Sequence, residues 1–256
     1  MEESPLLYRV EEGVAEFIIN REKQRNSLNI EVIRLFLENL DRAEGDSSVK
    51  AVLITGAGDR AFCSGAELGD AMSERGREAF KGYANLLKRL ASFPKPTVAR
   101  VKGFCLAGGM GFMLACDIVI ASDDSRFGTP EVNVGLWPMM IGAFIFRNVL
   151  RKSAMEMVLL GERLDAASAL DMGLVTRVVP GTELDSEVRA VMKKLASKSP
   201  IGMKIGKEAF HAMADMPLEE ALDYLSGRLA DVASTEDARE GIRAFLEKRE
   251  PEFRGK

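Results

Sequence analysis

The chain has 256 residues, 46% of them hydrophobic and 29% charged, with a formal net charge of −4. That balance excludes a disordered chain, allows one large core, and lacks the basic surplus of a nucleic-acid-binding surface. One histidine and three cysteines, Cys63, Cys105 and Cys116, are too scattered for a clustered zinc site, so no metal is expected.

The opening MEESPLLYRVEEG is too acidic and too poor in apolar residues for an export signal. An odd cysteine count fits a reducing compartment, and no apolar run approaches the roughly 20 residues of a membrane span. A cytoplasmic protein is expected. Residues 14–20 (VAEFIIN), 49–55 (VKAVLIT), 97–101 (TVARV) and 117–121 (DIVIA) are rich in β-branched side chains and read as buried strands. Helical patterns at 30–43, 77–92 and 110–116 lie between them. Strands alternating with helices imply a mainly parallel sheet covered by helices.

Beyond residue 143 only 174–179 keeps a strand pattern. Helices are expected at 153–160, 166–172, 184–197, 201–213 and 218–248. Pro180-Gly181 marks a break and Pro200 a helix start. The expected layout is an α/β core over 1–190 and a helical region over 191–256. The stretch 236–253 alternates charges at helical spacing above an apolar underside of Ile242, Phe245 and Leu246, a face suited to a neighbouring subunit.

Two glycine-rich turns carry the chemistry. One is Phe62-Cys63-Ser64-Gly65-Ala66-Glu67-Leu68; the other runs from Lys102 to Gly109 and opens an apolar helix. Small residues let backbone N–H groups face a pocket, and a helix N-terminus directs its positive dipole end outward. Such groups can hold an oxygen that gains charge. The same glycines also read as plain tight turns between strand and helix. Glu131, in FGTPE (127–131), is either a proton-moving carboxylate or a surface cap after Pro130. Thr55-Gly56-Ala57-Gly58 completes no nucleotide-binding pattern.

The runs AFCSGAEL (61–68), KGFCLAGGMGFMLACDIVIA (102–121), RFGTPEVNVGL (126–136), GERLDAASALDMGLVTRVVP (161–180) and FLEKREPEF (245–253) resemble the enoyl-CoA hydratase/isomerase, or crotonase, superfamily. The likeness runs from about residue 10 to residue 253. It implies an α/β fold of the crotonase-like (ClpP/crotonase) kind, a spiral of repeated ββα units with a helical C-terminal region. It also implies an acyl-CoA thioester substrate, no separate cofactor because CoA belongs to the substrate, and assembly as a homotrimer or dimer of trimers through 191–256. Neither a nucleic acid nor a membrane is implied as a partner.

Carried onto this sequence, the resemblance makes the N–H groups of Ala66 and Gly108 the pair that holds a thioester enolate, with Glu131 as the proton shuttle. It places Lys23, Arg25, Cys63, Gly65, Leu68, Gly109, Trp137, Met139 and Lys248 around substrate and CoA, with Lys102 and Arg249 as further cations. NREKQRNSL (20–28) resembles the family's run near CoA but carries Glu22 where a proline is usual. A hydratase of this family uses a second glutamate at the position of Gly111, which has no side chain. The departure favours moving a double bond over adding water. Glu67, Asp70 and Glu74 are the other carboxylates near the first turn, none placed to be preferred. Met139 stands where a dehalogenating relative has an aspartate, which disfavours that reaction. Decarboxylation, hydrolysis and ring cleavage stay open. So does a noncatalytic or RNA-associated role of the same fold. His211, in a helical run, reads as a surface or satisfied side chain.

Overall fold

The computed structural model describes residues 4–67 and 74–256. The chain begins with an antiparallel hairpin, β1 (Leu6–Glu11) and β2 (Val14–Ile19), followed by α1 (Ile30–Gly45). Three strand pairs then repeat one pattern. They are β3 (Ala51–Gly56) with β4 (Ala61–Cys63), β5 (Thr97–Val101) with β6 (Phe104–Leu106), and β7 (Ile118–Ser122) with β8 (Arg126–Gly128). The first strand of each pair enters a six-stranded sheet of order β1-β2-β3-β5-β7-β10, where β10 is Arg177–Val179. The second enters a four-stranded sheet of order β4-β6-β8-β9, where β9 is Leu164–Asp165. Helix α2 (Glu74–Ala91) follows the first pair and α3 (Gly108–Ala115) the second. Each ββα unit therefore advances both sheets by one parallel strand, which makes a spiral rather than a flat doubly wound sheet.

Every residue of β3 is buried, because its sheet is covered on both faces. One face meets a core that includes Phe17, Phe36, Leu40, Leu86, Leu90 and Phe112. The other meets α7 (Leu184–Ala196), whose Leu184, Val188, Val191 and Met192 pack on Ala51, Leu53, Val98 and Ile120. Phe17 stacks on Phe36 at 5.4 Å between ring centres, Phe36 meets Phe112 at 4.9 Å, and Tyr83 meets Phe112 edge-on at 5.9 Å. This aromatic column joins β2, α1, α3 and α2. Each fully buried phenylalanine in it stabilises the fold by about 1.5–3 kcal/mol.

The remaining helices are α4 (Met139–Asn148), α5 (Arg151–Leu160), α6 (Ala166–Asp171), α8 (Pro200–Met213), α9 (Leu218–Ser234) and α10 (Glu236–Glu247). The single helix expected over 218–248 is two helices. Thr235 ends α9 and caps α10, its hydroxyl oxygen accepting the Ala238 N–H at 3.0 Å. Pro200 does open α8, and Ser199 caps it by accepting the Gly202 N–H at 3.1 Å. The strands β1, β4, β6, β8 and β9 and helix α4 lie outside the elements expected from the residues. In α10, Ile242, Phe245 and Leu246 are exposed, 82% in the case of Phe245, so the apolar underside has no cover within the chain. No helix among the described residues is long and apolar enough to cross a membrane.

Asn26 fixes the loop that leads into α1. It is fully buried at a left-handed φ of 56°, a conformation asparagine tolerates better than most residues. Its side-chain amide donates to Ala57 O at 3.0 Å and Ala61 O at 2.6 Å, and its carbonyl accepts the Arg21 N–H at 3.0 Å. Asn26→Asp removes both donations and turns a carboxylate oxygen toward two carbonyls. The expected cost is about 2–5 kcal/mol at pH 7, from two lost hydrogen bonds and unsatisfied buried acceptors. Denaturant unfolding followed by circular dichroism checks it, and an unchanged midpoint refutes it.

Candidate active site

Leu28 and Ala66 form a single parallel bridge outside the two sheets. The Leu28 N–H donates to Gly65 O at 2.8 Å, and the Glu67 N–H donates to Leu28 O at 3.0 Å. In a parallel pairing of this kind the residue between the two bonds turns its own N–H to the opposite side. Ala66 therefore directs its amide away from Leu28, into a cleft. Gly108 reaches the same cleft by another route. It is the first residue of α3, so its N–H has no acceptor within the helix. Ala107 before it takes φ 48° and ψ −125°, its N–H donating to Gly128 O at 3.0 Å and its carbonyl accepting from Met110 N at 2.8 Å.

Glycine at 65 is what lets the two turns meet. Its φ is +102°, and a Cβ there would come within 2.7 Å of the Ala107 Cβ and 3.2 Å of Gly108 N. From the other side, the Cβ direction of Gly108 points to within 3.5 Å of Ala66 N. The two turns thus bring the Ala66 and Gly108 amide nitrogens close together.

The cleft they border has a volume of about 1450 Å³. Ala66 and Gly108 line one side, and Glu131, Trp137, Met139 and Met140 line another. Leu28, Ile30, Phe80, Tyr83 and Leu136 complete the apolar walls. Glu131 lies in a short 3₁₀ turn, Pro130–Val134, whose proline starts the turn at no hydrogen-bonding cost. One carboxylate oxygen of Glu131, Oε2, is buried and has no hydrogen-bond partner. Burial raises its pKa above the usual carboxylate range, the direction that suits a group taking and returning protons. Val134, Leu136, Trp137 and Met139 keep 62%, 42%, 43% and 73% of their surface exposed. The wall beside Glu131 is therefore apolar but open, and Val132 turns toward Gly161.

Among the described residues, the other carboxylates on the cleft are engaged. Glu67 pairs with Arg21 at 2.5 Å, and Glu31 pairs with Arg34 at 2.5 Å. Position 111, where the family resemblance places a hydratase's second carboxylate, is occupied from outside. A Cβ on Gly111 would overlap the Tyr83 hydroxyl and lie 3.2 Å from its Cζ. That hydroxyl donates to Gly108 O at 2.5 Å. Tyr83 was missed in the sequence. The available signal was a tyrosine on the inner face of a helix, whose hydroxyl needs a partner once buried.

Beside the cleft, and sharing Ser64 with it, lies a pocket of about 320 Å³ lined by Arg25, Arg60, Phe104, Leu106 and Arg163. The Arg163 guanidinium sits over the Phe104 ring, 5.1 Å from its centre. Arg60 and Arg163 carried no sequence signal, because they precede β4 and β9 and meet at one pocket only through the tertiary fold. Arg25 is thus at the site, at a left-handed φ of 53°. Lys23 is exposed on a 3₁₀ turn, Glu22–Gln24, just before Arg25 and lines neither cavity. Lys248 caps the end of α10, exposed and away from both. Lys102 is paired with Asp59 at 2.8 Å, and Arg249 is held by Glu240 and Glu247.

Cys63 and Gly109 support the turns from behind rather than facing the cleft. Both are fully buried, Gly109 against the Cys63 carbonyl, and burial pushes the Cys63 thiol up to about 12. Leu68 and Asp70 lie outside the described residues, as does the side chain of Glu74. His211 is exposed on α8. Among the described residues no group of three or more His, Cys, Asp or Glu is arranged to hold a metal ion.

Comparisons with known proteins agree with this architecture. A family model described as enoyl-CoA hydratase/isomerase matches residues 9–256. The short-chain-enoyl-CoA hydratase of Clostridium acetobutylicum is 34% identical over 257 residues, covering 98% of each chain. The crystal structure of an enoyl-CoA hydratase from Mycobacterium smegmatis superposes with a TM-score of 0.94 at 33% identity, covering 98% of this chain and 99% of that one. Human enoyl-CoA hydratase domain-containing protein 3 superposes with a TM-score of 0.93 at 32% identity, covering 97% and 100%. With the ββα spiral, the two converging turns and a match over nearly its whole length, the chain belongs to the enoyl-CoA hydratase/isomerase family.

Proposed function

We propose that the protein moves the double bond of an enoyl-CoA thioester from C3–C4 to C2–C3, with Glu131 as the sole proton shuttle. The observation that carries this reading is the Glu131 Oε2 atom, buried without a partner on the same cleft as two free backbone amides. The Glu131 carboxylate removes a proton from C2. The electron pair left behind forms a dienolate whose charge rests on the thioester oxygen, which accepts the N–H groups of Ala66 and Gly108. The protonated Glu131 then gives its proton to C4, the double bond settles at C2–C3, and the carboxylate is restored. Arg25, Arg60 and Arg163 supply positive charge for the phosphates of CoA in the pocket that shares Ser64 with the cleft. Assembly as a trimer, through the uncovered face of α10, is part of the same proposal.

A second reading, hydration of a 2-enoyl-CoA, is favoured by the names of the Clostridium and Mycobacterium relatives. It requires water to be activated by Glu131 alone, since Glu67 and Glu31 are paired with arginines. Incubation of 2-enoyl- and 3-enoyl-CoA panels in D2O separates the two. Isomerisation yields deuterium at C2 and C4 with no hydroxyl product; a 3-hydroxyacyl-CoA as the main product overturns the proposal.

Glu131→Gln is expected to slow C2–H exchange by about 10²–10⁴-fold, the loss typical of a general base, while thioester binding persists. In the wild type, kcat/KM for exchange rises with pH and its midpoint lies above the ordinary glutamate value of 4.5, because burial disfavours the charged form. A midpoint at or below that value contradicts the assignment. The same shift affects stability. A carboxyl with a raised folded-state pKa binds its proton more tightly when folded, so its contribution declines as pH rises from about 4.5 through the raised value. Glu131→Gln should therefore raise Tm at pH 8 and leave it unchanged at pH 4, as measured by calorimetry. Gly65→Ala should cost about 10²-fold or more in exchange by forcing the two amides apart, with steady-state exchange as the assay.

A further inference from the structure

Tyr83 is a polar side chain of the cleft wall that the proposed reaction leaves unused. Its ring is held edge-on against Phe112, at the end of the aromatic column, and the residue is only 7% exposed. Its one proton goes to Gly108 O at 2.5 Å. Burial raises the phenol well above its ordinary pKa, so it stays protonated and serves as a donor. The hydroxyl has its place because position 111 is glycine; a Cβ there would overlap it. The pieces around Gly108 are pinned one by one. Ala107 N–H is bonded to Gly128 O and Ala107 O to Met110 N–H. The Gly108 carbonyl, in the first turn of α3, also accepts the Tyr83 hydroxyl, which adds a side-chain contact to a residue with none of its own.

We propose that Tyr83 is the positioning residue of this site, its hydroxyl seated over Gly111 and clamping the Gly108 carbonyl so that the Gly108 N–H points at the thioester oxygen. Tyr83 touches no reacting atom; it acts through the amide. The proposal rests on the reading that the Gly108 N–H binds that oxygen. It also gives Gly111 a local reason, since any larger residue displaces the clamp.

The test uses the full chain with saturated acyl-CoA, carbon-13 labelled at the thioester carbonyl, and follows two readouts. One is the infrared carbonyl band of the bound thioester, which moves to lower frequency when hydrogen bonds polarise it. The other is C2–H exchange in D2O, resolved into kcat and KM. Tyr83→Phe keeps the ring and loses the hydroxyl. It should return the band part-way toward its free position and lower kcat by about 10–100-fold, with KM within about threefold. Gly111→Ala should give the same spectral change by displacing the hydroxyl. Tyr83→Phe/Gly111→Ala should be no worse than Tyr83→Phe alone, because the two substitutions remove one interaction. A wild-type band and wild-type kcat in Tyr83→Phe overturn the positioning role while leaving the proposed reaction standing. Fully additive losses in the double variant overturn it as well. A wild type that neither shifts the band nor exchanges C2–H on any thioester overturns the reaction and the positioning role together.

Discussion

The site depends on one steric fact, the contact between two turns of backbone at Gly65 and Gly108. Everything that could perform chemistry is arranged around it. The turns belong to successive ββα units, and the spiral sets those units side by side by adding parallel strands to both sheets at once. Leu28 then takes up the backbone groups on either side of Ala66, which turns the Ala66 amide to the side away from Leu28. The helix that begins at Gly108 does the same for its own first amide. Two donors are thus presented without a side chain being spent on them.

The rest of the molecule holds that contact still. The aromatic column from Phe17 to Tyr83 packs α3 against α1 and α2. Asn26 ties the loop that carries Leu28 to the corner between β3 and β4. Helix α7 closes the far face of the large sheet. Packing at this density transmits small displacements, so a volume change at 83 or 111 is felt at the amide.

Much of this was legible in the residues. The central strands, α1, α2, α3, α7 and the break at Pro180-Gly181 follow from period and composition, because they bury continuous apolar surface. The strands of the small sheet do not. β4, β6 and β8 are three residues each, too short to show a period. Without them the spiral itself could not be read from pattern, and only the motif likeness supplied it. At the site, Ala66, Gly108, Glu131, Trp137 and Met139 lie on the cleft, because glycine-rich turns and the F-G-T-P-E segment carry their own local signal. Arg60 and Arg163 do not carry one, since each is placed by contacts across the fold, and Tyr83 carries only its place on the inner face of a helix. Cys63 and Gly109 sit in the right turns yet behind them, which sequence position alone does not distinguish.

That the two donors are main-chain groups has a consequence for how such a protein changes over generations. A point substitution can delete a carboxylate, a phenol or a guanidinium, but none deletes a peptide N–H short of introducing proline. Cleft residues that do not pack on the two turns can therefore change while both N–H groups remain, and under the proposed reaction different chemistry can then be tried on an enolate held by the same pair. Positions 83 and 111 are not among them, because a larger residue at 111 or a smaller one at 83 disturbs the contact on the Gly108 carbonyl.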